Sequence, residues 1–472
     1  MTEEEIRAIL AENKKLRAIV AENEKLRAVV AELQQQVVQL TAELQAALMR
    51  IAELEKRKTK PPSFIKPNRP PRSDPPGPRK KRAAEHNRNR KREEPTRIER
   101  HALAECPDCG YRLRGESLDR TRQVVELPPP PPVEVIEHQV IKRWCPHCGG
   151  WRSPQLDLSD QVIGQGRIGV RIASLVAYLR TTLRLPVRQI QSYLETVHSL
   201  RLSSGEIVEL THDVRRQLQS QADALKEGVR DSAVVHGDET GWRENGRNGY
   251  AWAFASEEPA AVRYFEHDPS RGHQVPLRIL GENFDGCLVT DFYAAYNLIP
   301  GQHQRCWTHL LRDLHKLKED NAESTEVMEW AMAVRKLYDD AQTWLDEHPA
   351  ATKGERATVY TDLFTQAGEL GRRYALTYDH PCCALSKRVL RHQDELFQFV
   401  LVPGVPADNN LVERGLRPLV VIRKISGGSR SGEGTKTRLM LASLFHTWAA
   451  RGLNPFLECL AALQRSPTTV PP

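Results

Sequence analysis

Two aspartates follow short apolar runs of the chain. Asp238 comes directly after "VVHG" and before "ETGW", and Asp291 comes after "GCLVT" and before the aromatic stretch "FYAAY". Apolar runs of this kind predict buried β-strands. Two strands of one sheet would bring both carboxylates to a shared edge. Paired carboxylates suit Mg²⁺, which proteins usually hold through one or two carboxylates together with substrate phosphates.

A third acid is needed for most phosphoryl-transfer sites of this kind, and Glu413 in "PADNNLVERGLRP" is the candidate. The competing interpretation is that Asn410 and Glu413 form an N-terminal helix cap. The segment that follows is basic and glycine-rich, which suits a phosphate backbone. We expect DNA contacts there from Arg414, Arg417, Arg423, Lys424 and Arg430, with Lys436 and Arg438 on the same surface.

Four cysteines form two knuckles of the form CPxCG. Cys106 pairs with Cys109 and Cys145 with Cys148, and 35 residues separate the pairs. Four thiolates in two such knuckles suit one tetrahedral structural Zn²⁺. The sequence between them predicts short strands around a polyproline turn, as in a zinc ribbon. Whether this module contacts DNA or braces a neighbour stays open.

Short helices are expected before the first acidic strand. Apolar stripes recur at helical spacing from Ile168 onward, Pro186 is expected at a first helical position, and Ser203 with Glu206 forms a capping box. Three short helices with a tight turn fit a helix-turn-helix that binds DNA. The alternative is a helical packing unit without DNA contact.

The first segment of the chain predicts self-association. Apolar residues from Leu16 to Leu54 follow alternating steps of three and four, the seam of a coiled coil, and Asn23 at an a position favours a parallel dimer in fixed register. An intramolecular helical hairpin is the alternative.

A basic linker follows this segment, with fifteen Lys or Arg against two acids between Lys56 and Arg92. This linker is either a solvated spacer or a segment that binds nucleic-acid phosphates. The proposed DNA contacts are Arg79, Lys80, Lys81 and Arg82.

The bulk composition predicts a multidomain protein that works outside the membrane. The chain has 472 residues, 40% of them hydrophobic, and a net charge of +7. No apolar run reaches the roughly 18 residues that span a bilayer, and Met1 is followed by acids rather than by the basic start of a secretory signal. We therefore expect a cytoplasmic location.

Several ordered blocks resemble one protein family. "GDETGW", "TDFYAAY", "CWTHLLRD" and "DNNLVERGLRPLVVIRKISGGSRSGEG" are similar to the signature blocks of the insertion-sequence-66 family of DDE transposases. The heptad segment, the CPxCG knuckles and "ASLFHTWAARGLNPFLECL" resemble other segments of that family. The resemblance covers nearly the whole chain apart from the basic linker and the last few residues.

The resemblance implies an RNase H-like catalytic domain that cleaves element ends and transfers strands. Matched block by block, Asp238, Asp291 and Glu413 are the catalytic acids that hold two Mg²⁺ ions, or Mn²⁺. Glu239 is not selected, since neighbouring strand residues face opposite sides of a sheet. His309 is either an active-site neighbour that contacts substrate or a structural hydrogen-bonding residue. The sequence separation of 122 residues from Asp291 to Glu413 implies an all-α insertion.

The implied partners are element ends, target DNA and a second copy of the chain; a need for helper proteins of the same element stays open. A DNA-binding regulator without catalysis and a metal-dependent nuclease without strand transfer are the rival functions.

The fold class is multidomain α+β. The expected domains are a coiled coil (1–55), a basic Pro-rich linker (56–100), a zinc-binding module (101–155), a helix-turn-helix-like DNA-binding region (160–228), an RNase H-like core in two parts (229–318 and 403–440) around an all-α insertion (319–402), and a C-terminal helical segment and tail (441–472).

Overall fold

A computed structural model describes residues 3–56, 92–130 and 132–465. The predicted DNA contacts of the linker, Arg79 to Arg82, lie outside the described residues. The chain divides into two units, one that ends at Glu126 and one that begins at Leu127. Each unit is described by itself.

The first unit opens with one long helix, α1 (Glu3–Lys56), of 54 residues. The described apolar side chains of the predicted seam are exposed in the single chain, for example Leu26 by 57% and Leu40 by 63%. Asn23 is exposed as well. A helix of this length with an uncovered apolar seam matches the helical part of the sequence prediction.

The second unit begins with a small antiparallel pair, β1 (Arg143–Cys145) and β2 (Gly150–Arg152). The strands expected between the two cysteine knuckles are a wrong prediction, because the described residues of 113–142 contain no strand. Val124 and Val135 are 79% and 89% exposed. The prolines at 128–132 lack the N–H donors that a strand ladder requires.

Four helices precede the main sheet: α2 (Val170–Thr181), α3 (Val187–His198), α4 (Ser204–Gln217) and α5 (Gln219–Arg230). Their apolar stripes meet in one core, in which Val176, Ile190 and Ile207 are fully buried. Ser203 and Glu206 form the predicted capping box at α4. Pro186 is the N-cap of α3, one residue before the position predicted for it.

The main sheet has five strands: β3 (Val234–Glu244), β4 (Arg247–Ser256), β5 (Val262–Asp268), β6 (Cys287–Thr290) and β7 (Gln302–Arg305). Their order is β5-β4-β3-β6-β7. The first three are antiparallel, whereas β6 and β7 run parallel to β3. Strand β7 was not predicted.

Ten helices are described along the rest of the chain, some of them very short. They cover the sheet, and their bounds are α6 (Gln274–Leu280), α7 (Trp307–Asp320), α8 (Thr325–Glu347), α9 (Lys353–Ala375), α10 (Cys383–Arg391), α11 (Gln398–Leu401), α12 (Asn410–Ser426), α13 (Gly432–Ala450) and α14 (Pro455–Gln464), with a short 3-10 helix at Ala294–Leu298. The segment from α8 to α11 contains only helices and loops.

The two faces of β4 pack against different helices, as the strand period of two requires. Ala251, Ala253 and Ala255 face a core that α12 and α13 complete. Trp252 and Phe254 face the core that contains α2 to α5. The small alanines let α12 approach the sheet closely, and this fixes which strand residues can meet its first turn.

A third core holds the helices from α7 to α11, with Trp307 and Trp330 fully buried in it. Trp242 is also buried, in the core beneath α12. Both Trp242 and Trp307 are therefore core residues.

The edge strand β5 is covered by α13. The hydroxyl oxygens of Ser443 and Thr447 accept hydrogen bonds from the backbone N–H groups of Phe265 and Arg263, both at 2.9 Å. All seven residues from Leu439 to Phe445 are buried, so α13 packs on every side. Helices α13 and α14 also contact α2, which lies far earlier in the chain. The prediction of a chain that combines helices with a sheet is confirmed in this mixed α/β architecture.

Candidate active site

Asp238 and Asp291 stand level with each other on neighbouring parallel strands. The pairing of β3 with β6 aligns His236 with Val289, and each aspartate lies two residues further along its strand direction. Asp291 follows the last residue of β6, but Asp238 lies within β3, which continues to Glu244. The prediction that Asp238 stands at a strand exit is therefore wrong in detail: the parallel pairing ends there, while the pairing with β4 continues.

The register between β3 and β4 decides which way the neighbouring acids point. Asp238 is opposite Ala253 and Glu239 is opposite Trp252. Directly paired residues share a face of the sheet. Asp238 therefore faces the side on which α12 packs, and Glu239 faces the other side.

Glu239 has structural partners of its own. The Tyr296 hydroxyl donates to its carboxylate at 2.6 Å, and the Arg271 guanidinium pairs with it at 2.6 Å. Its side chain is only 2% exposed. Burial raises its pKa, and the bonds from Tyr296 and Arg271 oppose that rise. This carboxylate is already satisfied without a metal.

The first turn of α12 is fixed to β3 by Asn409. Its amide nitrogen donates to the Gly237 carbonyl oxygen at 2.8 Å, and its amide oxygen lies 3.0 Å from Nδ1 of His236. Its backbone N–H points at Cys306 Sγ at 3.2 Å. These contacts place Glu413, in that first turn, beside the strand that carries Asp238.

The capping interpretation of Glu413 is wrong. Asn409, not Asn410, is the N-cap of α12, and its side chain makes no capping hydrogen bond. A side chain outside the helix, Asp408, accepts the N–H of Asn410 at 3.0 Å. Instead Oε1 of Glu413 lies 3.8 Å from Nδ1 of His309. Both atoms are buried and find no hydrogen-bond partner among the described residues.

The three acids share one electrostatic field. Burial is the largest cause that raises the pKa of Asp238 to about 8. The negative charge of Glu239 comes next, and the charges of Asp291 and Glu413 add to it. Mutually repelling, partly buried carboxylates, one of them with an orphaned oxygen, are a donor set that fits divalent cations with oxygen ligands.

Arg305 anchors the turn that carries Asp291, and sequence reasoning missed it. This fully buried guanidinium donates to the Thr290 hydroxyl and to the Asp291 carbonyl oxygen, each at 3.0 Å. It also pairs with Glu395. Burial opposes ionisation of Glu395, but hydrogen bonds from His392 and Arg305 hold the pKa of Glu395 at about 2.

The basic residues that follow Glu413 are only partly surface residues. Arg414, Arg417, Lys424 and Arg430 are exposed. Arg423 instead donates to the Thr240 hydroxyl at 3.0 Å and to the Gly241 carbonyl oxygen, so it braces β3. Burial lowers the pKa of Arg438 to about 9, and the charge of Arg180 adds to this effect. The expectation that Arg438 belongs to an exposed basic surface is therefore wrong.

Each cysteine knuckle has the local geometry of a thiolate site. Backbone N–H groups of Asp108 and Cys109 point at Cys106 and lower its pKa. The N–H of Cys148 lies 3.4 Å from Cys145 Sγ and is the largest cause of a lowered pKa there. Amides aimed at sulfur stabilise the thiolate form that binds Zn²⁺.

Two matches to known protein families give the class of the protein. The model described as "Transposase IS66 family" matches residues 165–437, and the model described as "zinc-finger binding domain of transposase IS66" matches residues 104–149. The class is thus a transposase with a zinc-finger module, in agreement with the two knuckles. Because the first match covers more than half of the chain, the chain belongs to the IS66 transposase family.

Two curated relatives from Sinorhizobium fredii (strain NBRC 101917 / NGR234) match over shorter stretches. "Uncharacterized protein y4qI" is 26% identical over 268 residues, which are 51% of this chain and 49% of that protein. "Uncharacterized protein y4jO" is 28% identical over 170 residues, 36% of this chain and 50% of that protein. The chain spans about half the length of the curated relatives it matches. None of the described helices is long and apolar enough to cross a membrane.

Proposed function

We propose that this chain is a DDE transposase that binds the ends of an insertion sequence and catalyses Mg²⁺-dependent cleavage and transfer of DNA strands in the cytoplasm. Asp238, Asp291 and Glu413 are the catalytic acids, in a core of RNase H-like type that flanks an all-α insertion at 319–402. The observation that carries the proposal is geometric: Asp238 and Asp291 stand level on neighbouring parallel strands, and Asn409 ties the helix turn that carries Glu413 to the first of these strands.

Each residue of the proposed site has its own role in the reaction. Asp238 and Asp291 supply carboxylates from two strands, and Glu413 adds a third from α12. Two Mg²⁺ ions, or Mn²⁺, bound by these carboxylates would activate the attacking water or 3′-hydroxyl and stabilise the leaving oxygen. Asn409 holds α12 against β3, Arg305 holds the Asp291 turn, and His309 stands beside Glu413 as a neighbour that contacts the substrate.

DNA is held outside the acids by positive charge. Arg414, Arg417 and Lys424 are exposed on α12, and Arg430 is exposed shortly after it. Arg79, Lys80, Lys81 and Arg82 of the linker provide further contacts to phosphates. Arg423 contributes by bracing β3. The zinc module, held by Cys106, Cys109, Cys145 and Cys148, binds one structural Zn²⁺ and takes part in end binding.

The contacts of the region 160–228 support DNA binding less than those of the basic residues after Glu413 do. The exposed side of α4 presents Val208 and Glu209, and Arg216 is paired with Glu209 and Asp213. On its inner side Arg215 pairs with Glu433 at the start of α13. A helix with balanced charges that is bonded to the catalytic unit favours the packing interpretation, and any DNA contact made by this region stays a prediction.

The chain acts as a homodimer through α1. The apolar seam of α1, whose described side chains are exposed, offers a surface to a second copy, and Asn23 meets its twin to fix the register. Mass measurement by light scattering gives two copies per particle for the full chain and one for a chain that lacks residues 1–55. An unchanged mass after the deletion would contradict this assignment.

Cleavage and joining of labelled DNA test the catalytic proposal. Duplexes that carry the ends of the element encoding this chain are incubated with Mg²⁺, and the products are separated by length. Asp238→Asn is expected to abolish cleavage and retain end binding, whereas Glu239→Gln, with the same charge change one residue away, is expected to retain cleavage. Retained cleavage in Asp238→Asn would refute the assignment.

The same experiment separates the rival functions. A pre-cleaved end with a free 3′-hydroxyl is offered together with a plasmid target. Joined products identify a transposase, cleavage without joining identifies a nuclease, and binding with neither identifies a regulator.

A further inference from the structure

Three side chains of different chemistry converge beside the proposed catalytic acids. Cys306 Sγ, a ring nitrogen of His309 and a carboxylate oxygen of Glu413 all lie within 4.8 Å of one another. Cys306 is fully buried as the N-cap of α7, and His309 lies in the first turn of that helix. Sulfur, imidazole and carboxylate together form a donor set that suits Zn²⁺ and other thiophilic ions, whereas Mg²⁺ prefers oxygen alone.

The backbone around Cys306 repeats the geometry of the two zinc knuckles. The sulfur of Cys306 receives backbone N–H groups from residues 308 and 309, two and three positions further on. The sulfurs of Cys106 and Cys145 receive N–H groups from the same relative positions. Asn409 adds a further N–H at 3.2 Å from Cys306 Sγ. These N–H groups lower the pKa of Cys306, whereas its burial, the larger effect, raises it. The resemblance to the knuckles is therefore one of backbone geometry.

The other two donors have no competing bonds. Nδ1 of His309 and Oε1 of Glu413 are buried, are 3.8 Å apart, and find no hydrogen-bond partner among the described residues. Buried polar atoms that are left unpaired destabilise a fold. A cation held between them removes that destabilisation.

We propose that Cys306, His309 and Glu413 form a second metal site that binds a thiophilic divalent cation such as Zn²⁺. Ligand atoms of a tetrahedral Zn²⁺ lie about 3.5 Å apart at metal–ligand lengths of about 2.0–2.3 Å. The partly exposed side chains of His309 and Glu413 reach this spacing by a movement of about an ångström. Since Glu413 is shared, Zn²⁺ at this site withdraws the third acid from Mg²⁺ and stops catalysis; this last step rests on the proposed function.

Metal counting on the full chain tests the site independently of activity. Wild type, Cys306→Ser, His309→Ala and the matched control Cys287→Ser, which removes another buried thiol, are equilibrated with Zn²⁺ in an excess of Mg²⁺. Bound zinc per chain is then measured by mass spectrometry. Wild type and Cys287→Ser are expected to hold one Zn²⁺ more than Cys306→Ser and His309→Ala, since all four proteins retain the zinc module.

Equal zinc content in wild type and His309→Ala overturns the proposal. His309 is 29% exposed, so this variant decides the question even where Cys306→Ser fails to fold. Replacing Zn²⁺ by Co²⁺ adds a second readout, because bonds between cobalt and thiolate absorb light. This absorption is expected to be lower in Cys306→Ser than in wild type, by the contribution of the bond to Cys306.

Cleavage assays then separate this inference from the proposed function. Micromolar Zn²⁺ is expected to inhibit Mg²⁺-dependent cleavage, and added Mg²⁺ is expected to relieve that inhibition. Absence of any cleavage contradicts the catalytic proposal but leaves the zinc count valid. Normal cleavage with zinc contents that do not differ contradicts the second metal site alone.

Discussion

Replacing Asp238 by asparagine should make the Mg²⁺-free protein more stable while it abolishes activity. A carboxyl whose pKa is about 4 in the unfolded chain and about 8 in the fold costs about 4 kcal/mol of unfolding free energy at pH 7. Since the folded pKa is raised, the contribution of this group is favourable below pH 4 and is lost as pH rises towards 8. Neutral asparagine removes the cost, and we expect a gain of about 2–4 kcal/mol at pH 8.

Urea unfolding at pH 4.5 and pH 8 measures this difference. The buffers contain neither Mg²⁺ nor chelator, so that the zinc module keeps its metal, and the buried side chains of Trp242, Trp252 and Trp307 report unfolding by fluorescence. The gain should be several-fold smaller at pH 4.5 than at pH 8. Mg²⁺ should stabilise the wild type at pH 8 and leave Asp238→Asn unchanged.

Glu239→Gln is the matched control, since it removes one charge from the adjacent residue. It should stabilise the protein less than Asp238→Asn does, because it also weakens the pairing with Arg271 of a carboxylate that is 2% exposed. A gain in Asp238→Asn that is equal at both pH values, or no gain at all, would refute the idea that repulsion among the acids strains the metal-free fold.

Three further predictions concern other parts of the chain. Glu395→Gln should cost about 3 kcal/mol and lower kcat more than KM, because it weakens the pairing of buried Arg305, which holds the Asp291 turn; urea unfolding and steady-state cleavage measure both effects. Gly428→Ala should cost at least about 1–3 kcal/mol, measured in the same way, because its φ of +119° disfavours a side chain and an added methyl group would collide with the Arg243 carbonyl oxygen. Removal of Zn²⁺ by a chelator should abolish end binding while the tryptophan fluorescence of the catalytic unit stays native, and a loss of both together would contradict a separate module.

The acids were predictable because each belongs to a local pattern. Asp238 and Asp291 follow apolar runs, and their strands pair in parallel, which sets both carboxylates level. Glu413 was separable from a helix cap only through the family resemblance and the basic run after it. The structure adds the reason for that separation: Asn409 takes the N-cap position and turns its own side chain towards β3.

The supports of the site were not predictable from local patterns. Arg305 and Glu395 are 90 residues apart in sequence, and a buried ion pair between distant segments leaves no periodic signal. Strand β7 has four residues with polar letters, "QHQR", that do not alternate in the way a half-buried strand does. The strands expected between the cysteine knuckles failed for the opposite reason: apolar letters were present, but prolines remove the donors that pairing needs.

The packing of α13 and α14 against α2 has a consequence for synthesis. Val170 opens α2 and Pro455 opens α14, roughly 285 residues later. At about 5–20 residues per second, the ribosome needs roughly 15–60 s to add that stretch. During this time the apolar face of α2 and the edge of β5 are not covered, because the segments that pack on them have not been synthesised. A transposase made in this order becomes competent only when almost its entire message has been read, so a truncated transcript yields chains without a closed core.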